Sequence, residues 1–267
     1  MRDELSNISG TFIPEHSDAD PVRRAQIQMK RPLPKRFYTI VSIAADGDGF
    51  AIHLDGKPVK TPAKNTLCLP TREAAELVAA EWAFQDQVID PGTMPVTKLA
   101  NTAIDAVSLN LSEVFDEIVR FAGNDLLCYR ADSPQELVDR QACRWDPVLA
   151  WVAEAHQARF ILAEGVIHQE QPAQALQAYA ASLERYREAF RLSCLHVVTT
   201  LAGSSILALA FADGAFDLDA VWSLAHLDED WTIEHWGSDE EAEARREARY
   251  GEIAAAASLF AALHSQD

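Results

Sequence analysis

Acids and tryptophans crowd one stretch of the chain. Between Trp222 and Ala244 the sequence reads WSLAHLDEDWTIEHWGSDEEAEA. It brings Trp222, Trp231 and Trp236 together with Asp228, Glu229, Asp230, Glu234, Asp239, Glu240, Glu241 and Glu243. Two chemistries fit these residue types. An oxygen-rich cluster suits a hard divalent cation such as magnesium or calcium, as in a metal-dependent small-molecule enzyme working from residues 228–241. Aromatic side chains beside fixed charges suit the docking of another protein, because tryptophan anchors interfaces and charge sets register and partner choice.

The elements around the cluster decide how it is presented. Gly237 breaks the run, Ser238 follows, and Glu241 stands where a capping box wants its acid. A helix, a tight turn and a second helix are therefore expected, with the second helix opening at Ser238. Acids in the first turn of a helix have a purely local explanation too, since each contributes about 0.3–1 kcal/mol there when exposed.

The rest of the chain offers no rival chemistry. It contains no GxGxxG, P-loop, HExxH or GxSxG motif. Gly203-Ser204-Ser205 has neither the second flanking glycine nor the preceding strand of a nucleophile elbow. Glu154 and His156 are two apart and leave a helix on different sides. His226 and Asp230 share a helical face, but no paired Glu-x-x-His elements form a bundle metal site. Structural or solvated histidines, no cofactor and no resident metal are the expectation. Lys57 and Lys60 read as strand-edge lysines.

Composition narrows the partners. The 267 residues carry 41 acidic against 23 basic side chains, a formal charge of −18, which disfavours nucleic acid and anionic membranes and favours a partner with basic or apolar patches. A hydrophobic content of 48% is enough for a real core. Cys68, Cys128, Cys143 and Cys194 are scattered without CxxC pairing, as buried thiols in a reducing compartment would be. No apolar run reaches membrane-spanning length. The first residues are acidic, without an apolar signal core, so the bacterial cytoplasm fits better than a mitochondrial matrix reached by a basic presequence.

Along the chain, residues 1–34 read as a flexible, proline-interrupted tail, with a short helix possible over Val22–Met29. Residues 35–110 read as an α+β domain. Period-two alternation from Lys35, the turn Asp46–Gly49 and the hairpin signal Asp55-Gly56 give an antiparallel meander with further short strands at Lys57–Lys60 and Asn65–Leu69. Thr71 caps a helix whose Trp82 packs on the sheet. A proline-bounded loop, Ile89–Pro95, leads to a helix in which Asn101, Thr102 and Asp105 bond locally. Residues 111–267 read as an all-α bundle. Ser112, Ser133-Pro134, Asp146-Pro147, Pro172 and Asp217 open successive helices, and Leu192–Leu201 with Ser204–Phe211 form its buried centre. The fold class is thus α+β, a small antiparallel meander with packed helices followed by a helical bundle. No repeat or coiled-coil seam calls for more than a monomer.

Several long segments together carry a resemblance. They are LDGKPVKTP at Leu54–Pro62, AAEWAFQ at Ala79–Gln85, IDPGTMPVTKLANTAID at Ile89–Asp105 and DLLCYRA at Asp125–Ala131. The RQ…WDP of Arg140–Pro147, GSSILALA at Gly203–Ala210 and the DEDW, WG and DEEA pieces near the C-terminus complete the set. In this order the chain resembles the assembly chaperones for the alpha subunit of the F-type ATP synthase catalytic head. Thr232 departs from the glutamine expected there. The resemblance implies a non-enzymatic protein that binds the free alpha subunit, covers its subunit interface and prevents aggregation until the beta subunit replaces it. On that reading Glu240 is the principal polar contact, supported by Asp239 and Glu241. Trp236 is either the anchor near the turn or part of the core, and Glu229 and Asp230 are lesser contacts. Glu241 is drawn back towards Ser238 by its capping duty, which leaves Glu240 freer to reach a partner. An adaptor with another client is a third reading of the same surface.

Overall fold

The computed structural model describes residues 32–164 and 169–264. The chain divides into two compact units, Met1–Leu109 with Ala261–Asp267, and Asn110–Phe260. Most of the expected tail, including Val22–Met29, lies outside the described residues.

In the first unit β1 (Val41–Asp46), β2 (Gly49–Leu54), β3 (Lys57–Pro58) and β4 (Cys68–Leu69) form an antiparallel sheet with β2 at its centre. Gly47 and Asp48 close the β1–β2 hairpin, whose register runs from Val41↔Leu54 to Asp46↔Gly49. Asp55 and Gly56 close the next, with φ values of 48° and 79°. Positive φ at both positions is what this turn type demands and what Asp-Gly tolerates. The first strand starts later than alternation from Lys35 predicts. The Asp55 carboxylate accepts the amides of Thr39 (3.1 Å) and Ile40 (2.8 Å), binding them to a side chain instead of a ladder. Those bonds hold the Asp55 carboxyl below the usual range. Lys35 makes only an isolated bridge to Val88.

Helix α1 (Arg72–Phe84) begins at Thr71, whose hydroxyl accepts the Ala74 amide (3.1 Å). Its buried Ala74, Ala75, Val78 and Trp82 lie in the core with Ile52, Leu67 and Leu69 of the sheet region. Its Glu81 accepts the amides of Val96 and Thr97, both at 2.7 Å, at the start of α2 (Pro95–Asp105), where Met94 supplies no side-chain cap. Burial pushes the Glu81 carboxyl upward against these bonds. Within α2, Thr102 bonds locally to Lys98 as expected, but Asp105 does not. It gathers Thr61, Ala63 and Asn65 from the loop before β4 instead.

The second unit contains α3 (Leu111–Ala122), α4 (Gln135–Ala155), α5 (Ala173–Leu183), α6 (Ala189–Ala202), α7 (Ser205–Ala212), α8 (Leu218–Ala225), α9 (Leu227–Trp236) and most of α10 (Glu240–Ala262). The expectation of an all-α region needs one correction. β5 (Tyr129–Arg130) and β6 (Ala163–Glu164) form a short parallel pair. A second correction concerns Asp146-Pro147, which opens no helix. Pro147 lies inside α4, and the residue four before it, Cys143, is exposed, so water can satisfy the carbonyl that loses its donor. That exposure also departs from four buried thiols. Asp146 pairs with Arg130 (2.8 Å) instead of capping. Likewise Ser133 bonds Asp132, and α4 starts one residue late, from the Pro134 carbonyl.

Asp125 organises the centre of this unit. Fully buried, it accepts Ser204 Oγ (2.7 Å) and the amides of Ile206 (3.0 Å) and Leu127 (3.1 Å), and so holds the N-terminus of α7. Burial raises its carboxyl to about 6 despite those bonds. The apolar half of α10 is covered, not open. Phe260 lies 5.6 Å from the rings of both Tyr186 and Phe211, and Ile253, Ala256 and Leu259 are buried.

Candidate functional site

The acidic stretch occupies α8, α9 and the start of α10. Asp217 caps α8 by accepting the Ala220 amide (2.8 Å). His226 then interrupts the helix. Its Nδ1 lies 2.9 Å from the Trp222 carbonyl, which can only accept, so Nδ1 carries the hydrogen. Burial pushes the His226 pKa down, and the neutral ring leaves Nε2 as a lone acceptor. That atom is buried, has no hydrogen-bond partner, and lies 3.9 Å from Glu229 Oε2.

Helix α9 is fastened on one face only. Leu227 and Trp231 are buried. Asp228 accepts the Gln141 amide (2.8 Å), while Gln141 also accepts the Ala131 backbone amide (2.8 Å). Glu234 takes Arg140 (2.8 Å), which holds its carboxyl below the usual range. Asp230 pairs with Arg246 of α10. Thr232 turns its hydroxyl onto the Asp228 carbonyl (2.8 Å).

The corner itself is set by Gly237, with φ 80° and ψ 172°. This region of backbone space is essentially reserved for glycine. The capping box expected of Ser238 and Glu241 does not form. Asp239, one residue later, accepts the Ala242 amide (2.8 Å) and is the cap of α10. Its carboxylate makes a charge-assisted bond, which a hydroxyl cannot match. Ser238 donates to Glu243, and Glu241 pairs with Arg245. Glu240 is exposed and has no ion pair or side-chain hydrogen bond among the described residues.

Between the two helices runs an open groove of about 610 Å³. Asp228, Glu229, Thr232, Ile233 and Trp236 line one side, and Gly237, Ser238, Asp239 and Ala242 the other. Trp236 is 72% exposed, with Trp231 edge-on at 5.3 Å. Of the six expected contact residues, Glu229, Trp236 and Asp239 share this groove. Asp230 lines a different cleft of about 210 Å³ with Arg140, Arg144 and Glu234. Glu240 and Glu241 stand on the first turn of α10 and do not line the groove. Sequence reading missed Ile233 and Ala242, which supply its apolar floor, and the long-range anchors Gln141 and Arg246.

Among the described residues no three His, Cys, Asp or Glu side chains converge to hold a metal ion. One cluster does have the residue types of a nucleophilic triad. His156 lies between Ser182 Oγ (2.9 Å from Nδ1) and Asp213 (2.8 Å from Nε2). However, Ser182 donates to the Ala178 carbonyl (3.0 Å) in its own helix, and Tyr186 donates to Asp213 (2.8 Å). The cluster ties together the ends of α4, α5 and α7. No described helix is long and apolar enough to cross a membrane.

An exposed indole beside an open acidic groove combines the residue types that recur where proteins dock. Solved structures of similar proteins give the class. The chain is 49% identical to the candidate chaperone Atu1473 of Agrobacterium tumefaciens, with 97% of this chain and 96% of that one covered and a TM-score of 0.86. It is 37% identical to Atp12 of Paracoccus denitrificans, covering 86% of this chain and 98% of that one at a TM-score of 0.81. A form of the Paracoccus protein with one aspartate changed to lysine matches with the same TM-score, 0.81. These relatives define the class as chaperones. Residues 35–153 match the family described as ATP12 chaperone protein, and the chain belongs to that family, whose members are chaperones of ATP synthase assembly.

Proposed function

We propose that the chain binds the free alpha subunit of the F-type ATP synthase catalytic head, covers the face that awaits the beta subunit, and acts without catalysis or cofactor. Family membership supports the assembly role, and the exposure of Trp236 is the observation that carries a binding reading. Tryptophan is the residue type most enriched at the energetic centres of interfaces, and this one stands exposed at the edge of an acidic groove. The contact surface is the α9–α10 corner, with Glu240 as the unpaired acid, Asp239 and Glu241 beside it, and Trp236 and Glu229 in the groove. Asp230 holds the corner from behind. A ring subunit exposes apolar surface until its neighbour arrives, and a binder displaced by the tighter partner needs no nucleotide hydrolysis. The protein works as a monomer in the bacterial cytoplasm.

Co-purification of the tagged protein from its host tests this. Recovery of alpha subunit without beta is the expected result. Recovery of an unrelated partner would overturn the client, and a rise in Tm with micromolar magnesium or calcium would favour the metal-enzyme reading.

A further inference from the structure

The α9–α10 groove is one-sided in charge. Asp228, Glu229 and Asp239 line it, and among the described residues no basic side chain does. The nearby arginines are engaged elsewhere: Arg140 with Glu234, Arg245 with Glu241, and Arg246 with Asp230. Glu229 has no ion pair with an arginine or lysine among the described residues, and the His226 ring beside it is neutral. The buried Nε2 of that ring, without a donor, is aimed at the Glu229 carboxylate 3.9 Å away. A half-exposed carboxylate that no arginine or lysine pairs favours a partner group that donates and carries positive charge. Trp236 adds an exposed indole face, the preferred ring for a cation. Ile233 and Ala242 add apolar floor.

We propose that the groove receives a cationic amphipathic segment of the client. An arginine or lysine lies over the Trp236 ring within reach of Glu229 and Asp239, and flanking aliphatic side chains rest on Ile233 and Ala242. The inference rests on the chaperone reading and names the chemistry of the client segment. A wholly apolar segment would bring no cation to Glu229 and Asp239, and an acidic one would be repelled. Arginine suits the site best, because its guanidinium can stack on the indole and still bond both carboxylates.

Two helical peptides of the same leucine and alanine pattern, one bearing arginines and the other glutamates, are titrated against the full chain by calorimetry and tryptophan fluorescence. The arginine peptide binds and changes the fluorescence, and the glutamate peptide does not. Trp236→Ala weakens the arginine peptide about tenfold, Glu229→Gln and Asp239→Asn weaken it also, and all three melt like the parent. Equal binding of both peptides, binding of neither, or full affinity in Trp236→Ala overturns the proposal. The same variants in the co-purification separate the two readings. If alpha subunit is retained equally by Trp236→Ala, the groove inference fails while the client stands. If the parent retains no alpha subunit but the peptide results hold, the client fails and the groove chemistry stands.

Discussion

Asp230 of α9 is paired with Arg246 of α10, whereas Glu240, on the first turn of the same helix, is exposed and paired with nothing described. Two acids ten residues apart, on either side of the Gly237 corner, therefore have different duties, one holding the corner and the other facing outward.

Charge reversal separates those duties. Glu240→Lys leaves the chain folded and lowers its stability by no more than about 1 kcal/mol, the loss of one first-turn charge at the helix N-terminus, and it weakens retention of the client. Asp230→Lys sets a second cation against Arg246 in a half-buried place and lowers stability by roughly 1–2 kcal/mol. Thermal melts of the two variants side by side check this. Equal stability would mean that the pair does not hold the corner.

The corner also depends on Gly237. Its φ of 80° with ψ of 172° admits almost no other residue, although space for a methyl group is open. Gly237→Ala costs about 1–3 kcal/mol from backbone strain alone and turns α10 relative to α9, so client retention falls with it. Gly251, mid-way along α10, is exposed with nothing within 4 Å of an added Cβ. Gly251→Ala gains about 0.5–1 kcal/mol from helix propensity. Calorimetric melts moving in opposite directions are the expected outcome.

Asp125 predicts a pH dependence. Its carboxyl, at about 6 in the folded chain, lies above its ordinary value of 3.8. The folded state therefore binds the proton more tightly. The contribution favours folding at low pH and is lost as pH rises from about 4 to 6, by roughly 3 kcal/mol in all. Denaturant titrations across that window compare the parent with Asp125→Asn, whose stability curve lacks this slope. The variants are also less stable at neutral pH. Asp125→Ala orphans the buried donors of Ser204, Ile206 and Leu127, a loss of about 3 kcal/mol.

What could be read without coordinates was local. Asp55-Gly56 gave its hairpin because two consecutive positive φ values leave little other choice of residue. Thr71 and Asp217 were legible as caps because each stands alone before an apolar run. Ser238 and Asp239 are adjacent and both able to cap, so the pattern pointed to a helix start without choosing between them. Pro147 misled for a related reason. A proline inside a helix is better tolerated where water can take the carbonyl that it leaves without a donor, and exposure of Cys143 is a tertiary fact. The resemblance led to the family, but which carboxylates are free depends on Gln141, Arg140 and Arg246. Arg140 and Gln141 reach their partners from about ninety positions away, and no spacing rule encodes that.

Asp239 is the cap of α10 and a wall of the groove at once. An allelic series at this position should therefore split into two phenotypes. Asparagine keeps the bond to Ala242 and discards the charge, so its defect should be one of recognition, curable by more client. Glutamate keeps the charge on a side chain too long to cap, so its defect should be one of abundance, curable by lower growth temperature. A genetic screen would see one residue with two separable ways to fail.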